Sequence, residues 1–173
     1  KLSEQQLPEH ITQIGGPSLG YRNRMRFTVT DEGRAGLLSA GSNTAVPLNE
    51  CPIAHPMISA MLQNQTFPRQ VQAGETFAVY ADDHGIWFSG DTAYAHVSGY
   101  RFVFPVHGFF QSNRRVLEQS LPLICVDLPE GAVADLYGGA GVFAAACADR
   151  GHSCVSVDSV SLPRKFQPAH RLI

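Results

Sequence analysis

The sequence predicts a mixed α+β and α/β chain, an antiparallel β-rich region followed by the start of an open α/β unit. Three observations carry this. Residues 21–29 alternate strictly between two kinds of side chain. Residues 74–105 hold four short β-like runs separated by turn residues. From residue 132 the chain reads apolar run, glycine-rich turn, Ala-rich helix and second apolar run. The boundary is drawn at 107/108, giving regions 1–107 and 108–173.

Residues 1–18 are polar, end in Gly15-Gly16-Pro17 and read as a lead-in. Tyr21, Asn23, Met25, Phe27 and Val29 then share one face of a strand, and Arg22, Arg24, Arg26 and Thr28 the other. Asp31-Glu32-Gly33 is a turn, and Ala35 to Ser39 returns as a second strand. Prolines punctuate the stretch from Pro47 to Pro56, after which Met57 to Gln63 is a helix. Phe77–Ala81, Ile86–Ser89, Ala93–Ser98 and Arg101–Val106 form an antiparallel meander. From Ser112 the period becomes helical, with Val116, Leu117 and Leu121 on one face and Ser112 or Asn113 as cap. Two strands, near 132–136 and 154–158, flank the last helix; an open sheet covered on both faces needs several more. That shortfall, and the lack of an initiator Met, lead us to expect a partial chain.

The composition is that of a globular protein, 44% hydrophobic and 16% charged. The net charge of −2 excludes a strongly basic surface overall but not a local basic strip. No run of 18 apolar residues is present, and the polar opening Lys1-Leu2-Ser3-Glu4 resembles no signal peptide. The four cysteines, Cys51, Cys125, Cys147 and Cys154, include no C-x-x-C pair, so the chain is not expected to build a zinc site. A reducing, cytoplasmic setting is the default for such a composition. Cys125, Cys147 and Cys154 lie among apolar neighbours and read as inert core residues.

The richest stretch is Asp135-Leu136-Tyr137-Gly138-Gly139-Ala140-Gly141-Val142-Phe143. Glycines between a strand and a helix let the backbone approach a ligand, and the helix start offers unsatisfied N–H groups. Asp158 lies 23 residues after Asp135, at the end of the second run, where a carboxylate accepts hydrogen bonds from ribose hydroxyls. The unit is Rossmann-like and nucleoside-binding. Two cofactors suit it. Gly139-Ala140-Gly141-Val142-Phe143-Ala144 fits the dinucleotide form G-x-G-x-x-A, whereas Asp135, polar where a dinucleotide strand is still apolar, resembles the first motif of S-adenosylmethionine-dependent methyltransferases.

Three further segments extend that resemblance. Gly20-Tyr21-Arg22-Asn23-Arg24-Met25-Arg26-Phe27 resembles the G-Y-R-x-[RK]-x-R-[FL] strand of the RNA 5-methyluridine methyltransferases, and Glu50-Cys51-Pro52-Ile53-Ala54-His55-Pro56 resembles that family's C-P-I segment. Phe109-Phe110-Gln111-Ser112-Asn113 is similar to its F-x-Q-x-N motif, and Asp135 to Phe143 to its D-L-[FY]-C-G-x-G-x-F. The four motifs stand in order over about residues 20–158.

The resemblance implies an enzyme acting on uridine C5 of transfer or ribosomal RNA with S-adenosyl-L-methionine as methyl donor. In that chemistry a cysteine thiolate adds to C6, because C5 of an aromatic pyrimidine becomes nucleophilic only when conjugation is broken, and a carboxylate later removes the C5 proton. The base must leave its stack to react. Carried over by position, Gln111 binds the methionine end of the cofactor and Phe109 shapes the same wall. Asp135 is a cofactor-binding position before the turn, Tyr137 takes the aromatic position beside the cofactor, Gly139 and Gly141 permit close approach, Val142 marks the entrance to the helix, and Asp158 holds the ribose. Arg22, Arg24 and Arg26, about 6.6 Å apart along one strand face, suit RNA phosphates.

The chain also departs from the pattern. Nothing after Asp158 matches the family's S-C-N-P nucleophile segment or its base, and Ser159 to Lys165 does not resemble the usual following helix. Gly138 stands where a cysteine is usual. Some members ligate an iron–sulfur cluster through three upstream cysteines and that of C-P-I; only Cys51 has a counterpart, so a cluster is not expected from this chain. The expectation is a chain that methylates nothing by itself. A non-catalytic RNA- or nucleoside-binding remnant is the alternative, and a dinucleotide-dependent oxidoreductase a more distant one.

Overall fold

The alternation of Asn23, Met25, Phe27 and Val29 against the arginines builds the centre of the molecule. A computed structural model describes residues 13–67 and 71–159; the start of the lead-in and the stretch after Ser159 lie outside them. Regular strand β1 spans Arg24–Val29, with Met25, Phe27 and Val29 buried. The strand expected from Tyr21 starts three residues late. The residues before it bond to loops instead: the Gly20 N–H donates to the Pro52 carbonyl, Arg22 to Ile53 and Asn23 to Ser112.

Strand β2 is Ala35–Leu38 and pairs antiparallel with β1. A third strand, β3 (Ala45–Pro47), was not anticipated, because one apolar triplet ending in proline carries no period. Its approach depends on Gly36, where a Cβ would lie 2.5 Å from the Val46 carbonyl oxygen. Helix α1 covers Pro56–Asn64, with proline in its first turn and His55 as cap, Nδ1 accepting from the Met57 N–H.

Strands β4 (Thr76–Asp82) and β5 (Gly85–Phe88) complete a five-stranded antiparallel sheet of order β3-β2-β1-β4-β5. Strands β6 (Thr92–Val97) and β7 (Tyr100–Pro105) form a separate hairpin. The single meander is therefore corrected to two pieces. The break falls at Gly90, at φ 98°, and Asp91, whose carboxylate accepts from the Phe88 N–H and whose carbonyl accepts from Val106. On its other edge β4 pairs with β1, in register Arg24↔Tyr80 to Thr28↔Thr76.

The sheet is covered on both faces. On one, Met25, Phe27, Phe77 and Val79 pack with Ile58, Met61 and Leu62 of α1. On the other, Ala78 and Tyr80 pack with the hairpin and with helices α2 (Arg114–Ile124) and α3 (Val142–Ala148). Of the two cap candidates for α2, Asn113 serves, its side chain accepting from the Val116 N–H at 3.1 Å. Phe110 stacks on Phe104 at 4.4 Å between ring centroids and meets the edge of Tyr80 at 5.9 Å. One apolar core thus runs across residue 107, where packing shows no break.

Strands β8 (Ala132–Leu136) and β9 (Ser153–Val157) pair in parallel around α3, as the Rossmann-like reading requires. Val133 and Cys154 face the core. Leu136 and its partner Val157 are exposed, as is Val155, on the opposite face.

Candidate functional site

The candidate site forms where β8 and β9 end and α3 begins. Tyr137, Gly139 and Gly141 all take positive φ, at 60°, 54° and 74°. For the glycines this is without steric cost, whereas for a tyrosine it is an uncommon conformation. The Gly138 N–H donates to the Val157 carbonyl and the Gly141 N–H to that of Gly138, closing the turn. Gly138 has no room for a side chain: a Cβ would fall 2.1 Å from Ser156 Oγ and 2.8 Å from Asp135 Oδ2. The family's usual cysteine is therefore incompatible with Ser156 as placed.

Gly141 caps α3 without a side-chain bond, so the helix start is completed from elsewhere. Asp135 Oδ2 accepts from the Ala144 N–H at 3.2 Å. Burial raises the Asp135 pKa above the ordinary carboxylate value; the Ala144 bond opposes the shift and the Asp158 charge adds to it. Asp135 is thus a helix-capping residue beside the site, a role its position in the motif does not disclose. Asp158 Oδ2 accepts from the Gly139 N–H at 2.9 Å, which puts the expected ribose acceptor directly on the turn.

Phe109 reaches the same place from the loop before α2. Its ring is the nearest side chain to Gly139, 3.7 Å from where a Cβ would stand, and it is exposed. Tyr137 is 87% exposed on the neighbouring side. Gln111 is exposed on the Phe109 loop, two residues further along. Val142 differs from the other expected site residues: its side chain is buried in the core, leaving only its backbone at the turn.

The three arginines occupy the β1 face away from α1. Arg22 and Arg26 are exposed, while Arg24 is half-buried and donates from Nη2 to the His107 carbonyl. Burial lowers the Arg24 pKa, with repulsion from Arg26 and then Arg22 adding to it. None of the three forms an ion pair among the described residues. Cys51 is half-buried beside the α1 core, and no three His, Cys, Asp or Glu side chains converge into a metal site among the described residues.

Sequence reasoning missed a second constellation. Asp82, ending β4, and Asp83 just after it meet Arg114 of α2, with Arg114 Nη2 at 2.9 Å from Asp83 Oδ2. That hydrogen bond holds the Asp83 carboxyl below the ordinary range, helped by His55 at 3.6 Å. A dipeptide of acids and a distant arginine give no periodic signal; only their shared cavity, of about 280 Å³, reveals them.

A β-rich unit leading into a parallel strand–glycine turn–helix–strand, with a terminal acid on the turn, defines an α/β protein with a Rossmann-like unit. No family model matches the chain. It is 30% identical over 135 residues to an uncharacterized RNA methyltransferase of Treponema denticola, a match covering 75% of this chain and 32% of that protein. Its fold is similar to that of the Pyrococcus abyssi tRNA (uracil-54, C5)-methyltransferase, solved with S-adenosyl-L-homocysteine; the TM-score is 0.65, at 13% identity, over 83% of this chain and 50% of that one. The chain thus spans about a third of the curated relative it matches. Sequence and fold together bear out the resemblance to the RNA 5-methyluridine methyltransferases carried by the four motifs.

Proposed function

We propose that this chain carries the cofactor-binding turn and an RNA-contacting strand of an S-adenosylmethionine-dependent RNA (uracil-5-)-methyltransferase acting on tRNA or rRNA. The observation that supports it most is the convergence of Gly139, Asp158 and Phe109 from three separated segments onto one turn. The fit to the cofactor is physical. The turn leaves Gly139 open except toward Phe109, and Asp158 brings a carboxylate to the strand end, where a ribose presents its hydroxyls.

In this reading Asp158 holds the ribose, the exposed rings of Phe109 and Tyr137 flank the cofactor, and Gln111 binds its methionine end. S-adenosylmethionine, when bound, supplies an electrophilic methyl group. Asp135 keeps the start of α3 in place, while Arg22, Arg24 and Arg26 neutralise RNA phosphates. The relative's RNA methyltransferase name and the S-adenosyl-L-homocysteine bound to the structural neighbour support the same reading. We read the chain as cytoplasmic, the setting of RNA-modifying enzymes; no described helix is long and apolar enough to cross a membrane.

A second reading, binding without chemistry by this chain, draws support from the thiols. Cys125, Cys147 and Cys154 are buried; Cys147 is pushed up to about 12 by burial and then by its contact with Cys125, and burial also raises Cys154. A thiol held protonated is a poor nucleophile toward C6. Calorimetric titration of the chain with S-adenosylmethionine and with NADH tests the cofactor; tighter binding of the dinucleotide overturns it. Labelled-methyl transfer to uridine-containing RNA separates the two readings: transfer by the 173-residue chain would refute the second.

A further inference from the structure

The cavity between the start of β1, the end of β4 and the start of α2 is separate from the glycine turn in its residues, and the proposed methyl-transfer site does not use it. Its wall holds two buried polar side chains with unmet hydrogen-bonding capacity. Asn23 is 3% exposed, and neither its Oδ1 nor its Nδ2 has a partner. Asp82 is 2% exposed; its Oδ1 accepts from the His84 N–H at 2.8 Å, but Oδ2 has no hydrogen bond and meets only Arg114 Nη1, at 3.9 Å. Leaving a buried polar group unpaired costs about 1–3 kcal/mol, more when it is charged. Two such groups on one cavity wall are better understood as a recognition surface than as packing.

We propose that this cavity binds one unstacked, amino-bearing nucleobase of the RNA, distinct from the uridine that is methylated. The inference rests on the RNA-binding reading above. Cavity size favours a single base, since about 280 Å³ lies just below the roughly 300 Å³ at which pockets for whole small ligands begin. Chemistry favours an exocyclic amine. Asn23 presents a donor and an acceptor side by side, the pattern by which an asparagine reads adenine, and Asp82 Oδ2 adds a second free acceptor. An amine has two N–H bonds and serves both acceptors; uracil, with one N–H, leaves one unmet. Place favours RNA. Arg114 and Arg115 line the cavity beside Tyr21 and Asn23, and Arg115 is exposed, so a phosphate held there sets its base at the cavity. Both polar groups are shielded from solvent in this state, so binding entails a side-chain rearrangement at the rim.

Fluorescence anisotropy with short oligo(A), oligo(C) and oligo(U) RNA tests the assignment on the full 173-residue chain. The native protein is expected to bind oligo(A) and oligo(C) about tenfold more tightly than oligo(U). Asn23→Leu and Asp82→Asn should each bring that ratio to near one while leaving oligo(U) affinity unchanged. If Asn23→Leu does not fold, Asp82→Asn, which preserves shape, decides. Equal native affinity for the three, or a preference surviving Asp82→Asn, overturns the cavity assignment and leaves phosphate binding by the arginines standing. Binding of none overturns both.

Discussion

Asp158 and Gly139 lie 19 residues apart in sequence, yet the carboxylate of one accepts the backbone N–H of the other at 2.9 Å. The end of β9 is thereby pinned to the turn that follows β8, where Asp158 is the proposed ribose acceptor. Replacing Asp158 by Asn keeps the shape but removes the charged acceptor. We expect S-adenosylmethionine affinity to fall by roughly 1.5–3 kcal/mol, the range for hydrogen bonds to charged groups. Titration calorimetry measures it; unchanged affinity would remove Asp158 from the site.

Asp135 makes stability depend on pH in a stated direction. Its folded pKa lies above the ordinary value, through burial first and then the Asp158 charge. Its contribution is therefore fully present below the unfolded pKa, about 3.9, and is lost as pH rises through the folded pKa. Asp135→Asn cannot ionise and leaves an oxygen for the Ala144 N–H. The variant should melt higher than the native chain at neutral pH, with the difference vanishing on acidification. Thermal unfolding across that window reads it, and a variant less stable at pH 7 contradicts the account.

Gly138 and Ser156 exclude each other's side chains. Gly138→Cys should destabilise by about 1–3 kcal/mol, the usual cost of overpacking. Adding Ser156→Gly should recover part of the loss, because the nearest obstructing atom is the Ser156 hydroxyl oxygen, while Asp135 Oδ2, at 2.8 Å, stays in the way. Denaturant unfolding of the single and double variants supplies the coupling energy; strict additivity would show that the clash is relieved in another way.

Phe110 holds the Phe109–Gln111 loop against the Tyr80 and Phe104 rings. Truncation to Ala should cost about 3–5 kcal/mol of stability. Phe110→Leu should fold yet weaken S-adenosylmethionine binding indirectly, by loosening the loop. A Leu variant with native affinity would separate the loop from the site.

Much of this was legible in the sequence because it is local. The arginine strip, the Pro56 helix start, the Asn113 cap and the strand–turn–helix–strand unit each follow from a period or a turn residue within a few positions. The β1 strand nonetheless started late, since the N–H groups of Arg22 and Asn23 are claimed by the distant loop carbonyls of Ile53 and Ser112.

What the sequence by itself determined is which side chains share a face, where the chain turns and which residues suit a nucleoside. Only the tertiary structure decided that β4 pairs with β1, that Phe110 joins the core across the 107/108 boundary, that Asp135 caps α3, and that Asn23 and Asp82 border one cavity. The physical reason is the range of the interactions. Side-chain period is set by backbone geometry one residue at a time, whereas strand partners and buried polar groups are chosen by which distant surfaces best exclude water together.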